Sequence, residues 1–572
     1  MTLNGWLQIA AYIIVLILLA KPIGLYMARV YQGEAVLLSP ILAPVERYLH
    51  RMAGIRPEEE MNWSGYAVAM LLFNLIGIFF LYLLQRVQGI LPLNTQHLGA
   101  VDPDLALHTA VSFVTNTNWQ NYGGESTMSY LTQMLGMTVQ NFLSAATGMA
   151  ILIAFIRGFI RHNTRLLGNF WVDLTRSVLY ILLPLSMLLA LVFVSQGVVQ
   201  TFSPSVTASN PQSGVQTIAL GPVASQLAIK HLGTNGGGFF NANAAHPFEN
   251  PNPLTDFLLV LAQTAIPAAL TYTFGKLVGD TRQGWALLAV MVFFLAAFTG
   301  AVYAAESAGN PKLAAMGVDQ ASSPIQPGGN MEGKEVRFGI ARSALFAVST
   351  TATSNGAVNS MHDSFTPLGG LVPMVMMLLG EVILGGVGSG LYGMLVFVIV
   401  AVFVAGLMVG RTPEYLGKKI EVFEMKMAAL LILIMPLTVL GLTAAPVITT
   451  PGQRAVLNPG PHGFSEILYA FASQGNNNGS AFAGLAGNNL FYNLTGALAM
   501  LTGRFWLAIP TLALASSLAS KKIVPASAGT LSTTSGLFLG WLSGVILVVG
   551  ALNFVPALAL GPIIEHLMLI GR

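Results

Sequence analysis

The sequence has no cysteine. Disulfides, thiolate metal centres and thiol nucleophiles are thereby excluded. Charge is scarce too: Asp, Glu, Lys and Arg make up 9% of the 572 residues, against roughly 25% in a soluble domain. So few charges cannot cover a water-exposed surface. A net charge of +3 is too small to hold nucleic acid, and no nucleic-acid partner is expected. No basic residue precedes the apolar core of residues 1–20, and Lys21 follows it. That is not the order of a cleaved secretory signal, so the stretch reads as a retained first span.

What fills the chain instead is apolar: 54% of residues are hydrophobic and 60 are glycine, a composition suited to helices packed closely in lipid. Runs near the ~20 residues that cross a bilayer lie at 4–26, 66–88, 130–156, 177–199, 254–278, 284–305, 370–409, 426–448, 490–518 and 533–560. The expected fold is therefore an all-α polytopic membrane protein with ten transmembrane helices. The run at 370–409 is long enough for a broken helix. Four shorter segments, 104–115, 222–233, 339–350 and 463–473, cannot span and fit re-entrant half-helices.

Each half-helix leads into a polar loop. The loops are Thr115-Asn116-Thr117-Asn118-Trp119-Gln120, Thr234-Asn235-Gly236-Gly237-Gly238, Thr353-Ser354-Asn355-Gly356 and Gln474-Gly475-Asn476-Asn477-Asn478-Gly479. With Gln120, Gly236, Gly356 and Gly479 taken as equivalent, the period is near constant, the mark of an internal repeat. The chain divides into a first helix and cytoplasmic connection (1–60), repeat 1 (61–165), repeat 2 (166–280), repeat 3 with its broken second span (281–420), repeat 4 (421–522) and a last helix (523–572). Each repeat is expected to run span, half-helix, polar loop, span, and the four loops read as walls of one ion pathway.

If the loops open outward, the outer side holds only Arg86, Lys230, Lys312, Lys334, Arg337, Arg342, Arg454 and Arg572 of the 26 Lys and Arg. The rest fall on the cytoplasmic side, and both termini are then outside. Two outer connections, 201–221 and 306–337, are long and polar, and the cytoplasmic stretch 29–60 has room for an interfacial helix.

A filter for a monovalent cation must replace its hydration shell with oxygens, and many backbone carbonyls suit potassium. Asn, Thr and Ser supply neutral oxygens and hydrogen bonds that shape the loops. None of the four stretches contains Asp or Glu, whereas a divalent filter more often uses a carboxylate ring. Each half-helix would also aim the negative pole of its dipole at the ion. A single Asn/Gly loop of this kind is ordinarily a solvent-exposed turn; four in register are not.

The strings VSFVTNTNWQ (111–120), GTNGGGFFNAN (233–243), HPFENP (246–251), TSNGAVN (353–359), MHDSF (361–365), GGVGSGLYGM (385–394) and NNNGSAFAGL (476–485) make the chain resemble, from first span to last, the potassium-binding, channel-like subunits of the Kdp potassium-transporting ATPases, within the superfamily of potassium transporters. The resemblance implies four pseudo-symmetric repeats, each span, pore helix, filter loop, span, around one central, outward-facing selectivity filter, and a potassium site lined by Asn116, Thr117, Asn118 and Gln120; Thr234, Asn235 and Gly236; Ser354, Asn355 and Gly356; and Asn477, Asn478 and Gly479. Potassium is then the only metal ion, bound as transported ligand, with no cofactor. It also implies a bacterial or archaeal plasma membrane, a P-type ATPase subunit that hydrolyses ATP, small accessory membrane subunits, and a water-containing tunnel between this chain and the ATPase. Repeat 1 departs from the pattern with Trp119-Gln120 where glycine is expected.

The phosphorylation string DKTG is absent. Residues 328–334 read G-x-x-x-x-G-K, but Glu335 follows where Ser or Thr is needed, and Gly388, Gly390 and Gly393 spell G-x-G-x-x-G inside an apolar run. Neither has the strand context of a nucleotide site. Gly385, Gly386, Gly388 and Gly390 pack helices closely or, on the sharper reading, bend the third-repeat span below the filter and block straight passage. Arg504 is the one cation expected near membrane depth, either repelling potassium at the lower end of the pathway or snorkelling to the interface. Glu381 fits a helix cap or a partner contact. Arg411, Lys418 and Lys419 fit the positive-inside pattern, with partner docking as the other reading. The histidines, His246 and His362 among them, read as hydrogen-bonded structural residues rather than metal ligands. The rival functions are a gradient-driven or passive potassium transporter of the same superfamily and a membrane enzyme. The second lacks a convergent acid, base or nucleophile in the sequence.

Overall fold

The structure is a computed structural model that describes residues 1–210, 214–525 and 530–571. Arg572 lies outside them, as does part of the outer connection at 201–221. Among the described residues ten helices are long and apolar enough to cross a membrane: Leu3–Gln32, Trp63–Ile90, Thr132–Ile160, Phe170–Ser195, Pro253–Leu277, Thr281–Ala315, Ser389–Met408, Val422–Ile448, Leu490–Ser520 and Gly536–Leu569. They coincide with the ten expected runs. The protein is thus a mainly helical, multi-pass membrane protein.

Apolar patterning sorts the spans into inner and outer. Pro253–Leu277 is 89% buried over its most apolar window, whereas the first and last spans are 28% buried. Phe79, Leu75, Ile76 and Leu83 face outward from Trp63–Val87 and give lipid an apolar stripe. Small residues let the inner helices meet backbone to backbone. A Cβ added at Gly24 would lie 2.5 Å from the Ala269 carbonyl oxygen, and Thr273 Oγ1 donates back to Gly24 O at 3.0 Å. Gly158 meets Ala515 in the same way.

The four half-helices are present as Pro103–Val114, Val223–Leu232, Gly339–Ala352 and Pro461–Gly475. Two begin on a proline, which fits the first helical position because its missing N–H would have no partner there. The run at 370–409 is broken into Pro367–Leu378 and Ser389–Met408. The stretch 29–60 contains the helix Ser39–Met52, with Ile41, Tyr48 and Met52 exposed. Three two-stranded ladders are small additions. The largest pairs Val206–Asn210 with Gly214–Ile218, a hairpin built from the outer connection.

The Lys/Arg count placed Lys230 and Lys334 on the outer side; in the structure both are buried. Lys230 Nζ is 2.8 Å from Glu249 and Lys334 Nζ is 2.7 Å from Glu306, all four side chains at most 1% exposed. Burial pushes the Lys334 ammonium down, and the Glu306 carboxylate opposes that shift. Glu306 also accepts from Thr366 N, Thr366 Oγ1 and Asn330 Nδ2, so the pair ties the outer connection to the start of the broken span. This is also the fate of the G-x-x-x-x-G-K string, whose lysine is held inside the protein. Lys334→Met leaves a buried carboxylate without its counter-charge and is expected to destabilise the chain by about 3–5 kcal/mol. Thermal unfolding of the detergent-purified protein checks this, and an unchanged midpoint would contradict it.

Candidate functional site

All four half-helices end in one backbone motif. The N–H groups of Thr117, Asn235, Asn355 and Asn478 donate to the carbonyls of Ser112, Lys230, Thr350 and Ser473 at 3.0, 2.8, 3.1 and 2.8 Å. The residue just before each donor is left-handed: Asn116 (φ 72°), Thr234 (50°), Ser354 (51°) and Asn477 (56°). Asparagine tolerates this region; a β-branched threonine there is strained. Thr234 is held by its hydroxyl, which donates to Gly233 O and accepts from Val387 N at 3.0 Å.

This motif corrects the register. The position equivalent to Gly236, Gly356 and Gly479 is occupied in repeat 1 by Asn118, at positive φ (54°) like Gly356 (77°) and Gly479 (108°), not by Gln120. Asparagine is the non-glycine residue that best accepts that conformation, so repeat 1 matches repeats 3 and 4 there without the glycine. Gln120 lies two residues further on and bridges loops: Oε1 accepts from Gly238 N at 2.8 Å and Nε2 donates to Gly238 O at 3.1 Å.

The loops converge. A Cβ on Gly236 would lie 2.2 Å from Thr117 O and 2.8 Å from Asn478 O. One on Gly356 would lie 2.3 Å from Asn478 O and 2.8 Å from Gly236 Cα. One on Gly479 would lie 2.2 Å from Thr117 O and 2.9 Å from Gly236 Cα. All four stretches therefore meet at backbone contact, and at Gly236, Gly356 and Gly479 only glycine fits.

The amide side chains act as struts between loops. Asn116 Nδ2 donates to Thr234 O at 2.8 Å, and its Oδ1 accepts from Asn235 Nδ2 at 2.6 Å and Ser144 Oγ at 2.8 Å. Asn118 Nδ2 donates to Asn141 Oδ1 at 2.6 Å. Asn355 Nδ2 reaches Lys230 O at 3.4 Å. Asn477 Nδ2 donates to Thr117 Oγ1 and Met500 O, and Asn478 Nδ2 to Thr350 O and Glu381 Oε1. Their N–H groups are thus engaged in holding the loops.

Directly against the loops lies the break in the third-repeat span. Gly380, Glu381, Leu384, Gly385 and Gly388 are all left-handed there. Gly385 N donates to Ala352 O at 2.6 Å, and Val387 N to Thr234 Oγ1. Gly386 packs on Ser354, Gly385 on Gly390, and Gly388 on the Gly148 carbonyl. Glu381 caps no helix: the break is bounded by the caps Leu379 and Gly388. Glu381 is 2% exposed, and its carboxylate accepts from Asn478 Nδ2 at 2.7 Å. A carboxyl group therefore lies in hydrogen-bond contact with the fourth loop, whose own residues are uncharged. Arg504 does not snorkel: it is 4% exposed and its Nη2 donates to Ser144 O at 2.6 Å. Nor is it alone as a buried cation, since Lys230 and Lys334 are buried too. A cavity of ≈ 90 Å³ lies among Ser354, Glu381, Ser389, Tyr392, Asn477 and Gly503.

His246 accepts from Phe248 N and stacks on Phe240, and His362 Nδ1 bonds Tyr469 OH at 2.8 Å. Both have structural partners. Lys418 is buried and donates to Lys521 O, while Arg411 and Lys419 are exposed. The sequence reading missed the Lys230–Glu249 and Lys334–Glu306 pairs. Their only signal was charge placed beside a half-helix or loop that otherwise avoids it.

Re-entrant helices whose loops meet at the centre of ten spans define a class of multi-pass membrane protein. A solved member with the same fold is the potassium transporter TrkH from Vibrio parahaemolyticus, at TM-score 0.52 and 12% identity over 89% of this chain and 97% of that one. Within that class the chain belongs to the KdpA family, "Potassium-transporting ATPase A subunit", whose description matches residues 10–567. Relatives named potassium-transporting ATPase potassium-binding subunit occur in Sorangium cellulosum (63% identical, 99% of both chains) and Methylococcus capsulatus (61% identical, all of both chains).

Proposed function

We infer that this chain captures potassium from outside the cell in the ring where its four loops meet, and delivers it to an ATP-hydrolysing P-type partner subunit for high-affinity uptake. The carrying observation is the backbone contact among Thr117, Gly236, Gly356 and Asn478-Gly479. Glycine keeps side chains out of that ring, and the asparagine struts fix its width. Four helix C-termini add negative potential without a formal charge inside the loops. Carbonyl dipoles in such a ring replace a potassium ion's water. The chain itself hydrolyses nothing, needs no cofactor besides its transported ion, and works with the catalytic subunit and small accessory membrane subunits.

The glycine break and Arg504 beneath the ring support a pump component over a free channel, since an open path would dissipate the gradient. The bacterial or archaeal plasma membrane, with both termini outside, is the location this reading requires. The test is potassium-stimulated ATP hydrolysis in membranes holding the partner subunits with and without this chain. Stimulation is expected only with it. Equal stimulation without it would refute the assignment.

A further inference from the structure

Away from the ring, three segments distant in sequence bring four titratable side chains together. His462 opens the fourth half-helix. Its Nε2 is 3.0 Å from Asp363 Oδ1, just after the third loop, and its Nδ1 is 2.8 Å from Glu565 Oε1 near the end of the chain. Glu466, one turn along the half-helix, joins the cluster: donor atoms of Asp363, His462 and Glu466 all lie within 4.8 Å of one another. Glu466 is fully buried. Asn458 Nδ2 occupies one carboxylate oxygen at 2.7 Å, and the other, Oε2, has no hydrogen-bond partner. A buried carboxylate oxygen left without a donor is costly. A further ligand is needed to satisfy it.

We propose that Asp363, His462 Nε2 and Glu466 form a divalent transition-metal site on the outer face, with Glu565 as the carboxylate that orients the histidine. One imidazole nitrogen and two carboxylates suit zinc and its neighbours, and not potassium, which prefers oxygen alone. Ligand bonds of about 2.0–2.2 Å in a tetrahedron set donor atoms roughly 3.3–3.6 Å apart, within reach of the present separations by side-chain adjustment. The Nδ1-to-carboxylate bond is the arrangement that metal-bound histidines use to fix their tautomer. Asp363 and His462 are 15% and 22% exposed along their side chains, so an ion and a completing water have access. The site lies close to the ring. His462 stacks on Phe482, Phe482 on Tyr469, and Tyr469 OH reaches Asn478 through Ser480 at 2.9 and 2.6 Å. A metal here would fasten the last helix and the exit of the third loop to the fourth half-helix.

The rival account is an imidazolium held between carboxylates with no metal. To separate them, the assembled complex is stripped with chelator and titrated with Zn²⁺ by calorimetry, with metal content measured afterwards. One Zn²⁺ per chain is expected. Glu466→Gln and His462→Gln should each weaken binding at least about 30-fold, and Glu565→Gln about tenfold, the size usual for an orienting partner. Asp363→Asn, partly exposed, serves if the buried variants fail to assemble. No saturable Zn²⁺ in the wild type, or titrations unchanged in His462→Gln and Asp363→Asn, would overturn the site.

Discussion

Gly479→Ala is expected to raise the potassium concentration for half-maximal ATPase stimulation by roughly 10–100-fold. Gly479 sits at φ 108°, and a methyl group there would lie 2.2 Å from Thr117 O, where the loops meet. Alanine at positive φ costs about 1–2 kcal/mol. The overlap must in addition displace Thr117 or the fourth loop, and each 1.4 kcal/mol lost from the bound state is a tenfold loss of affinity. The neighbour cannot give way as a flexible side chain would, because it is backbone held by the Thr117 N to Ser112 O bond. Gly441→Ala is the control: nothing lies within 4 Å of a Cβ there, and the constant should not move. A Gly479→Ala protein that is monodisperse and keeps its potassium response within twofold of wild type would show that the ring does not bind the ion.

The spans were legible because crossing a bilayer imposes a length and an apolar composition on each one. The half-helices were legible as apolar segments too short to span, each before a polar loop. The register of repeat 1 was not. Glycine and asparagine are interchangeable in the left-handed region, so aligning on a presumed small-residue slot led to Gln120, while the backbone motif selects Asn118. The role of Glu381 was illegible for a different reason. Its partner Asn478 lies far away in sequence, and nothing local says that the carboxylate turns toward the fourth loop. The same holds for Lys230 with Glu249 and Lys334 with Glu306. They looked like outer positive charge until the fold buried them against carboxylates. His462 had only Glu466, one turn along its half-helix, as a local partner, because Asp363 and Glu565 come from another repeat and from the end of the chain.

Removing the block beneath the ring is expected to convert the protein into a potassium leak. Two elements form it. One is backbone: the break from Gly380 to Gly388, five of its residues at positive φ, packs against loops two, three and four, fastened by the Gly385, Val387 and Glu381 hydrogen bonds. The other is charge: Arg504 is buried against Ser144, whose hydroxyl supports Asn116. A unit positive charge about 4–8 Å from a passing cation, at an effective dielectric constant of ~20, raises the barrier by about 2–4 kcal/mol. Arg504→Met should therefore raise passive flux through proteoliposomes, without ATP, by roughly 30–1,000-fold. Deleting Gly385 and Gly386 should do the same by opening the backbone. If both variants assemble and stay as tight to potassium as wild type, neither the break nor the arginine is the barrier.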